Sequence, residues 1–205
     1  MTALAQLRSK PAWCCAGLLL SCSLALAAPE QAMAFNAAES RAEPTPAPRG
    51  APPPQGPLPG AVLAGQGLLR FWGLEVYQAS LWVRPGFSAA AFADHPFALE
   101  LEYRRPFQAA AIAERSLREM RRQGPVSEEQ ARRWQLALQR VLPDVRPGDR
   151  IVGLHRPGQG VRFEQGGRRL GEIADPEFAR LFFGIWLSPA TSAPALRDAL
   201  LAGLG

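Results

Sequence analysis

The sequence predicts an α+β domain, an antiparallel sheet whose helices are grouped apart from the strands. Three observations carry that expectation. Phe97, Leu99, Leu101 and Tyr103 alternate with Glu100, Glu102 and Arg104, the period-two pattern of a strand with one buried face. Gly166-Gly167 sits between two short strand-like runs and signals a tight hairpin. Helical spacing comes in pairs, one pair after the alternating strand and one at the C-terminal end.

The elements follow in order. Val62 to Trp72 reads as a first strand interrupted by Gly65 and Gly67. Leu74 to Val83 reads as a second, with Tyr77, Ala79, Leu81 and Val83 on one face. The Phe97–Tyr103 strand is the third. Ile112, Ala113, Leu117 and Met120 then recur at helical spacing, while Arg115, Arg118, Arg121 and Arg122 lie largely elsewhere on that helix. Glu114 stands four residues before Arg118 and can pair with it, as on a solvated face; the alternative is an arginine-bearing docking surface. A second helix begins at Ser127, with Gln130 completing a capping box, and Pro143 marks its end. Its core stripe is Ala131, Trp134, Leu138 and Val141.

Three short strands complete the sheet as a meander: Ile151 to His155, Val161 to Gln165 and Arg168 to Ile173. Asp175 caps a helix that starts at Pro176 and carries Phe178, Leu181, Phe182, Ile185 and Trp186. A last amphipathic helix runs from about Pro194 to Ala202.

Upstream of Pro59 the chain changes character. Arg8 and Lys10 precede an uncharged apolar run from Ala12 to Leu26, and Ala25-Leu26-Ala27 supplies a small-x-small cleavage pattern. Residues 1–27 therefore read as a secretory signal, and the protein is expected to be exported, into a periplasm. Leu18 to Cys22 also fits a permissive lipobox, so a lipid anchor at Cys22 stays open as the alternative mature end. Residues 28–58 read as a Pro/Ala-rich disordered linker: eight of the twenty positions from Arg41 to Gly60 are proline, too little apolar surface to offset the entropy of ordering. It serves as a spacer or is a neutral insertion. The working domain is then 59–205.

Composition excludes several functions. All three cysteines (Cys14, Cys15 and Cys22) lie in the leader, so the mature chain has no disulfide framework, thiol nucleophile or zinc–thiolate site. The formal charge of +5 falls to +3 once Arg8 and Lys10 are removed, and the arginines are interleaved with glutamates. No nucleic-acid partner is expected from that pattern. His95 and His155, the only histidines, lack ligand-like spacing, so no metal and no cofactor are expected. There is no G-x-S-x-G elbow and no P-loop, and Gly65-Gln66-Gly67 lacks the third glycine of a dinucleotide fingerprint. Asp144 and Asp149 read as turn residues. No catalytic residue is assigned by chemistry alone.

A resemblance adds to this. Gly65-x-Gly67-x-x-Arg70, then Gly73-x-x-Val76-Tyr77-x-Ala79-Ser80-Leu81-Trp82, resembles the opening strands of the chalcone isomerase family. Leu99-x-Leu101-x-Tyr103-Arg104-Arg105-Pro106 and Ile173-x-Asp175-Pro176-x-Phe178-Ala179-Arg180-x-Phe182-Phe183-Gly184-Ile185-Trp186-Leu187 continue it. Together they span nearly all of 59–205 and are similar to the bacterial chalcone-isomerase-like branch. The resemblance implies an open-faced β-sandwich, a large antiparallel sheet with a helical layer on one face and a cleft between.

It also implies what the cleft lacks. The plant enzyme places an arginine and a threonine on its first strands, and a tyrosine and an asparagine on the following helix. Arg70 fits the arginine position, Tyr77 falls where the threonine would be, Ile112 where the tyrosine would be and Glu119 where the asparagine would be. Ring closure needs a stabilised phenolate and a polarised ketone, and Ile112 supplies neither. What remains resembles the fatty-acid-binding relatives, in which an arginine and a tyrosine hold a carboxylate. The ligand-binding residues so implied are Arg70 and Tyr77, and the ligand a fatty acid or other small apolar acid. Beside this stands a plainer reading: Arg70 pairs with a glutamate at the sheet edge and Tyr77 is core. Two further functions remain open, an isomerase (intramolecular lyase) on another substrate and an interaction module without a small-molecule ligand.

Overall fold

The structure, a computed structural model, describes residues 56–204. The expected signal at 1–27, the lipobox cysteine Cys22 and nearly all of the expected linker lie outside the described residues. Six strands form one antiparallel sheet in sequence order: β1 (Val62–Phe71), β2 (Leu74–Val83), β3 (Phe97–Tyr103), β4 (Arg150–Arg156), β5 (Gly160–Gln165) and β6 (Arg168–Ile173). Each strand pairs with the next, so every connection is short or is filled by helices. Between β3 and β4 lie α1 (Ala109–Arg121) and α2 (Glu128–Val141); after β6 come α3 (Pro176–Leu187) and α4 (Pro194–Leu201). This is the predicted α+β architecture, with two additions: short 3-10 segments at Ala89–Asp94, between β2 and β3, and at Ala202–Leu204, after α4.

Local chemistry sets the helix ends. Ser127 accepts from the Gln130 amide while Gln130 accepts from the Ser127 amide, so two otherwise orphaned donors are satisfied at the start of α2. Asp175 accepts from the Phe178 amide through one carboxylate oxygen and from the Trp134 indole through the other. One side chain thereby caps α3 and ties it to α2. Asp144 accepts from the Ala109 amide at the start of α1, and Asp149 from the Arg146 amide in the following turn. Both aspartates are structural, as their surroundings in sequence suggested.

The alternation of each strand divides the sheet into two faces. Ala79, Leu81, Val83, Phe97, Leu99, Tyr103, Ile151, Val161 and Phe163 face the helices and share one core with them. The axis of that core is α3, where eight of twelve residues are buried. Phe97, Phe182 and Phe183 meet there edge to face at ring separations of 4.7 and 5.4 Å. The other face is open. Its apolar part is Trp82, Ala98, Val152 and Leu154, against which Leu58 and Ala61 pack. The rest carries ion pairs such as Arg150–Glu102 (2.7 Å) and Arg162–Glu164 (3.0 Å).

The first strand runs through its glycines without interruption, with a register shift between Leu63 and Gly65. The reason these positions are glycine lies across the layer. A Cβ on Gly65 would stand 2.2 Å from the Ala199 carbonyl oxygen, and one on Gly67 would stand 2.5 Å from Leu196 Cδ1. The glycines let α4 lie directly on β1, which closes the edge of the cavity described next.

Candidate functional site

Between the helix-facing side of β1–β4 and the inner sides of α1, α3 and α4 lies a cavity of about 890 Å3. Its walls are mostly apolar, with Leu69, Leu99, Leu101, Phe107, Ile112 and Ile185 among them. A volume of this size is within the range of pockets that enclose small ligands, ~300–1,000 Å3.

Its polar groups converge near the centre of β2. Tyr77 faces inward, beside Tyr103 on the neighbouring strand (ring centroids 6.1 Å apart). The Trp186 indole N–H of α3 donates to the Tyr77 hydroxyl oxygen at 2.9 Å. That oxygen is thus an acceptor already in use, while its own proton has no acceptor among the described residues. Burial pushes the Tyr77 phenol well above its ordinary pKa; the Trp186 hydrogen bond and the Arg115 charge oppose the shift, and the Glu119 charge adds to it. Tyr103 is pushed up in the same way, by burial and by Tyr77. Both hydroxyls are protonated donors at neutral pH.

Along α1, Ile112, Arg115, Ser116 and Glu119 line the cavity at helical spacing. Glu119 is buried at 7% exposure, held by Arg115 at 2.7 Å and Arg122 at 3.7 Å. The lining from α1 thus carries one arginine and one carboxylate, Arg115 and Glu119, with Arg122 bracing the carboxylate from outside the lining.

Arg70 and Tyr77, the two residues expected to bind ligand, line the same cavity but differ in depth. The Arg70 guanidinium is at the rim, more than half exposed, and bonds Glu75 across the hairpin at 2.9 Å. Sequence reasoning did not assign Arg115 or Trp186 to the site, and it reached Glu119 only through the family resemblance, as the replacement for an asparagine. Glu119 carried a legible signal: it stands seven residues after Ile112 and one before Met120, on the apolar stripe of an otherwise amphipathic helix. Trp186 had none, because an indole on α3 reads as core until its N–H partner is seen. The arginines of α1 are all engaged: Arg118 with Glu114 and Arg121 with Glu128, each at 2.8 Å, and Arg115 and Arg122 with Glu119. No group of three or more metal-ligating side chains occurs among the described residues. No described helix is long and apolar enough to cross a membrane.

An antiparallel sheet, a helical layer on one face and an apolar cavity between them, with a few buried polar groups, define a sheet–helix cleft protein of the open-faced sandwich type. Residues 60–202 match the family described as chalcone isomerase-like, and the chain belongs to that family. No curated protein matches it by sequence. Among solved structures it is similar to a fatty-acid binding protein of Arabidopsis thaliana, with a TM-score of 0.56 and 13% identity over 74% of this chain and 90% of that one. At that identity the likeness is one of fold.

Proposed function

We propose that this is an exported, non-catalytic binding protein that holds a small apolar carboxylic acid, a fatty acid or comparable lipid, in the cavity between sheet and helices. The observation that carries the reading is the Tyr77 hydroxyl. It is buried in an apolar cavity, oriented by Trp186, and retains a proton to donate. A carboxylate oxygen is the matching acceptor, and Arg70, Arg105 and Arg115 against the single Glu119 in the lining favour an anion. Arg70 joins from the rim. Its exposed pair with Glu75 contributes at most about 1 kcal/mol, so it exchanges cheaply for a ligand carboxylate.

The apolar walls supply most of the affinity. A hydrogen bond to a charged group contributes roughly 1.5–3 kcal/mol, and each buried methylene about 0.8 kcal/mol. A tail of several carbons therefore outweighs the head. The fatty-acid binding named for the Arabidopsis structure supports the same reading. Against ring closure stand Ile112 and Glu119, where the family resemblance expects a tyrosine and an asparagine. Support for export is the leader pattern at 1–27 and the absence of cysteine after Cys22.

Denaturing the purified protein and analysing the released molecules by mass spectrometry tests the reading. The expected result is a long-chain acid, with a rise in melting temperature on adding palmitate to the stripped protein. An empty cavity together with no thermal shift would sink it. N-terminal sequencing of the protein recovered from cells distinguishes a mature end at Ala28 from one at Cys22.

A further inference from the structure

The turn between β1 and β2 carries three large apolar side chains into solvent: Phe71 at 55% exposure, Trp72 at 91% and Leu74 at 53%. Phe71 and Trp72 are stacked, with ring centroids 5.6 Å apart and planes within 8°. Trp72 and Gly73 are the two central residues of the turn, at φ 50° and 77°. Such turns favour asparagine, aspartate or glycine at the first position, because a side chain with φ above zero is crowded by its own backbone. Trp72 is the sole non-glycine residue with positive φ among those described. Beyond its stack on Phe71 the indole has little packing to offset the strain, since it lies almost wholly in solvent.

The position of this tip adds a second observation. Arg70, Phe71 and Leu74 also line the cavity, so the hairpin stands at its mouth. The Arg115 guanidinium lies 5.9 Å from the Phe71 ring centroid, within cation–π range. The charged residues at the mouth are Arg70, Arg105 and Arg115 against Glu119 and the hairpin's own Glu75, which pairs with Arg70, so one positive charge is left over beside the aromatic tip. Footprint decides the kind of partner. An aromatic side chain covers ~150–250 Å2 at most, so three side chains fall short of the ~800 Å2 per partner of a stable protein interface. A lipid surface needs no such area: tryptophan and its neighbours partition into the headgroup layer, and arginines meet anionic headgroups.

We propose that the β1–β2 hairpin docks on an anionic lipid surface, with Trp72 and Phe71 entering the headgroup layer and the cavity mouth facing the bilayer. The docking does not depend on what the cavity holds. Phosphatidylcholine vesicles, with and without phosphatidylglycerol, test it on the full chain by co-sedimentation. Trp72→Asn combined with Phe71→Ser removes both rings while giving the turn a residue it prefers, and an unchanged or higher melting temperature certifies the fold. The expected result is a fall of about tenfold or more in partition for the double variant, together with weaker wild-type binding when phosphatidylglycerol is omitted. Brominated lipid should quench a component of the wild-type emission that Trp72→Phe lacks. Equal sedimentation of wild type and double variant overturns the proposal, as does quenching that Trp72→Phe leaves unchanged. So does a concentration-dependent dimer that only the wild type forms. Vesicle docking by a protein with an empty cavity and no thermal shift on palmitate leaves this proposal standing and removes the ligand reading; a filled cavity without Trp72-dependent docking does the reverse.

Discussion

The indole N–H of Trp186 and the hydroxyl oxygen of Tyr77, 109 residues apart in sequence, meet at 2.9 Å in the cavity and join the central helix to the second strand. Because the oxygen accepts, the phenol proton is left for something else. Tyr77→Phe should therefore act twice. It removes the donor from the cavity, weakening palmitate binding about 10–150-fold in a titration. It also leaves the buried Trp186 N–H without a partner, lowering stability by about 1–3 kcal/mol in denaturant unfolding. Loss of stability with unchanged affinity would assign Tyr77 to the core alone. Tyr77 is packed and bonded to Trp186 and at the same time faces the cavity.

Glu119 places a carboxylate in the wall where an anionic ligand would lie. Glu119→Gln keeps the shape and removes the charge, so palmitate affinity should rise a few-fold while affinity for the corresponding alcohol stays level. Calorimetry on both ligands checks the difference. Equal change for acid and alcohol would mean that Glu119 does not sense ligand charge.

His155 predicts a pH dependence of stability. Burial lowers its pKa below the ordinary 6.5, against smaller opposing effects of the hydrogen bond with the His95 carbonyl and of Asp94. Its Nδ1–H donates to that carbonyl at 2.7 Å while the ring stacks on Phe97 at 4.8 Å. The folded protein resists the proton that the unfolded chain accepts. Stability is therefore fully present above about pH 6.5 and falls as pH drops from there toward the lowered folded-state value. Melting curves from pH 8 down to 5 should show the decline, and His155→Gln should flatten it.

Gly65→Ala inserts a methyl group against the backbone of α4, where the Ala199 carbonyl oxygen would be 2.2 Å from the new Cβ. The helix must move off β1, at a cost of about 1–3 kcal/mol. Because Leu196 of α4 also lines the cavity, palmitate affinity should fall with stability. Gly73→Ala tests a different glycine property: its φ of 77° strains any side chain, but the space around it is open, so stability drops while the cavity is unaffected.

Much of the fold was legible because its signals are local. The capping box of Ser127 and Gln130, the Asp175–Pro176 start of α3 and the Gly166-Gly167 turn each satisfy backbone groups within a few residues, so spacing alone reveals them. The Trp72-Gly73 turn was harder, since tryptophan occupies a position where asparagine or glycine would have announced it. The 3-10 segment at Ala89–Asp94 buries none of its residues and follows no apolar period that a sequence could display.

The sequence by itself determined the six strands, the four α-helices, the faces that β2 and β3 turn to the core and the charge interleaving of α1. Those depend on periods of two and 3.6 residues and on end chemistry, which neighbours in the chain supply. Only the tertiary structure decided the site. It set Tyr77 deep inside with Trp186, and brought Arg70 at the rim, Arg115 and Glu119 to the same cavity. Those outcomes depend on how α1, α3 and α4 lie across the sheet. Contacts between elements 40 to 110 residues apart are fixed by packing of whole faces, and no window of sequence contains them.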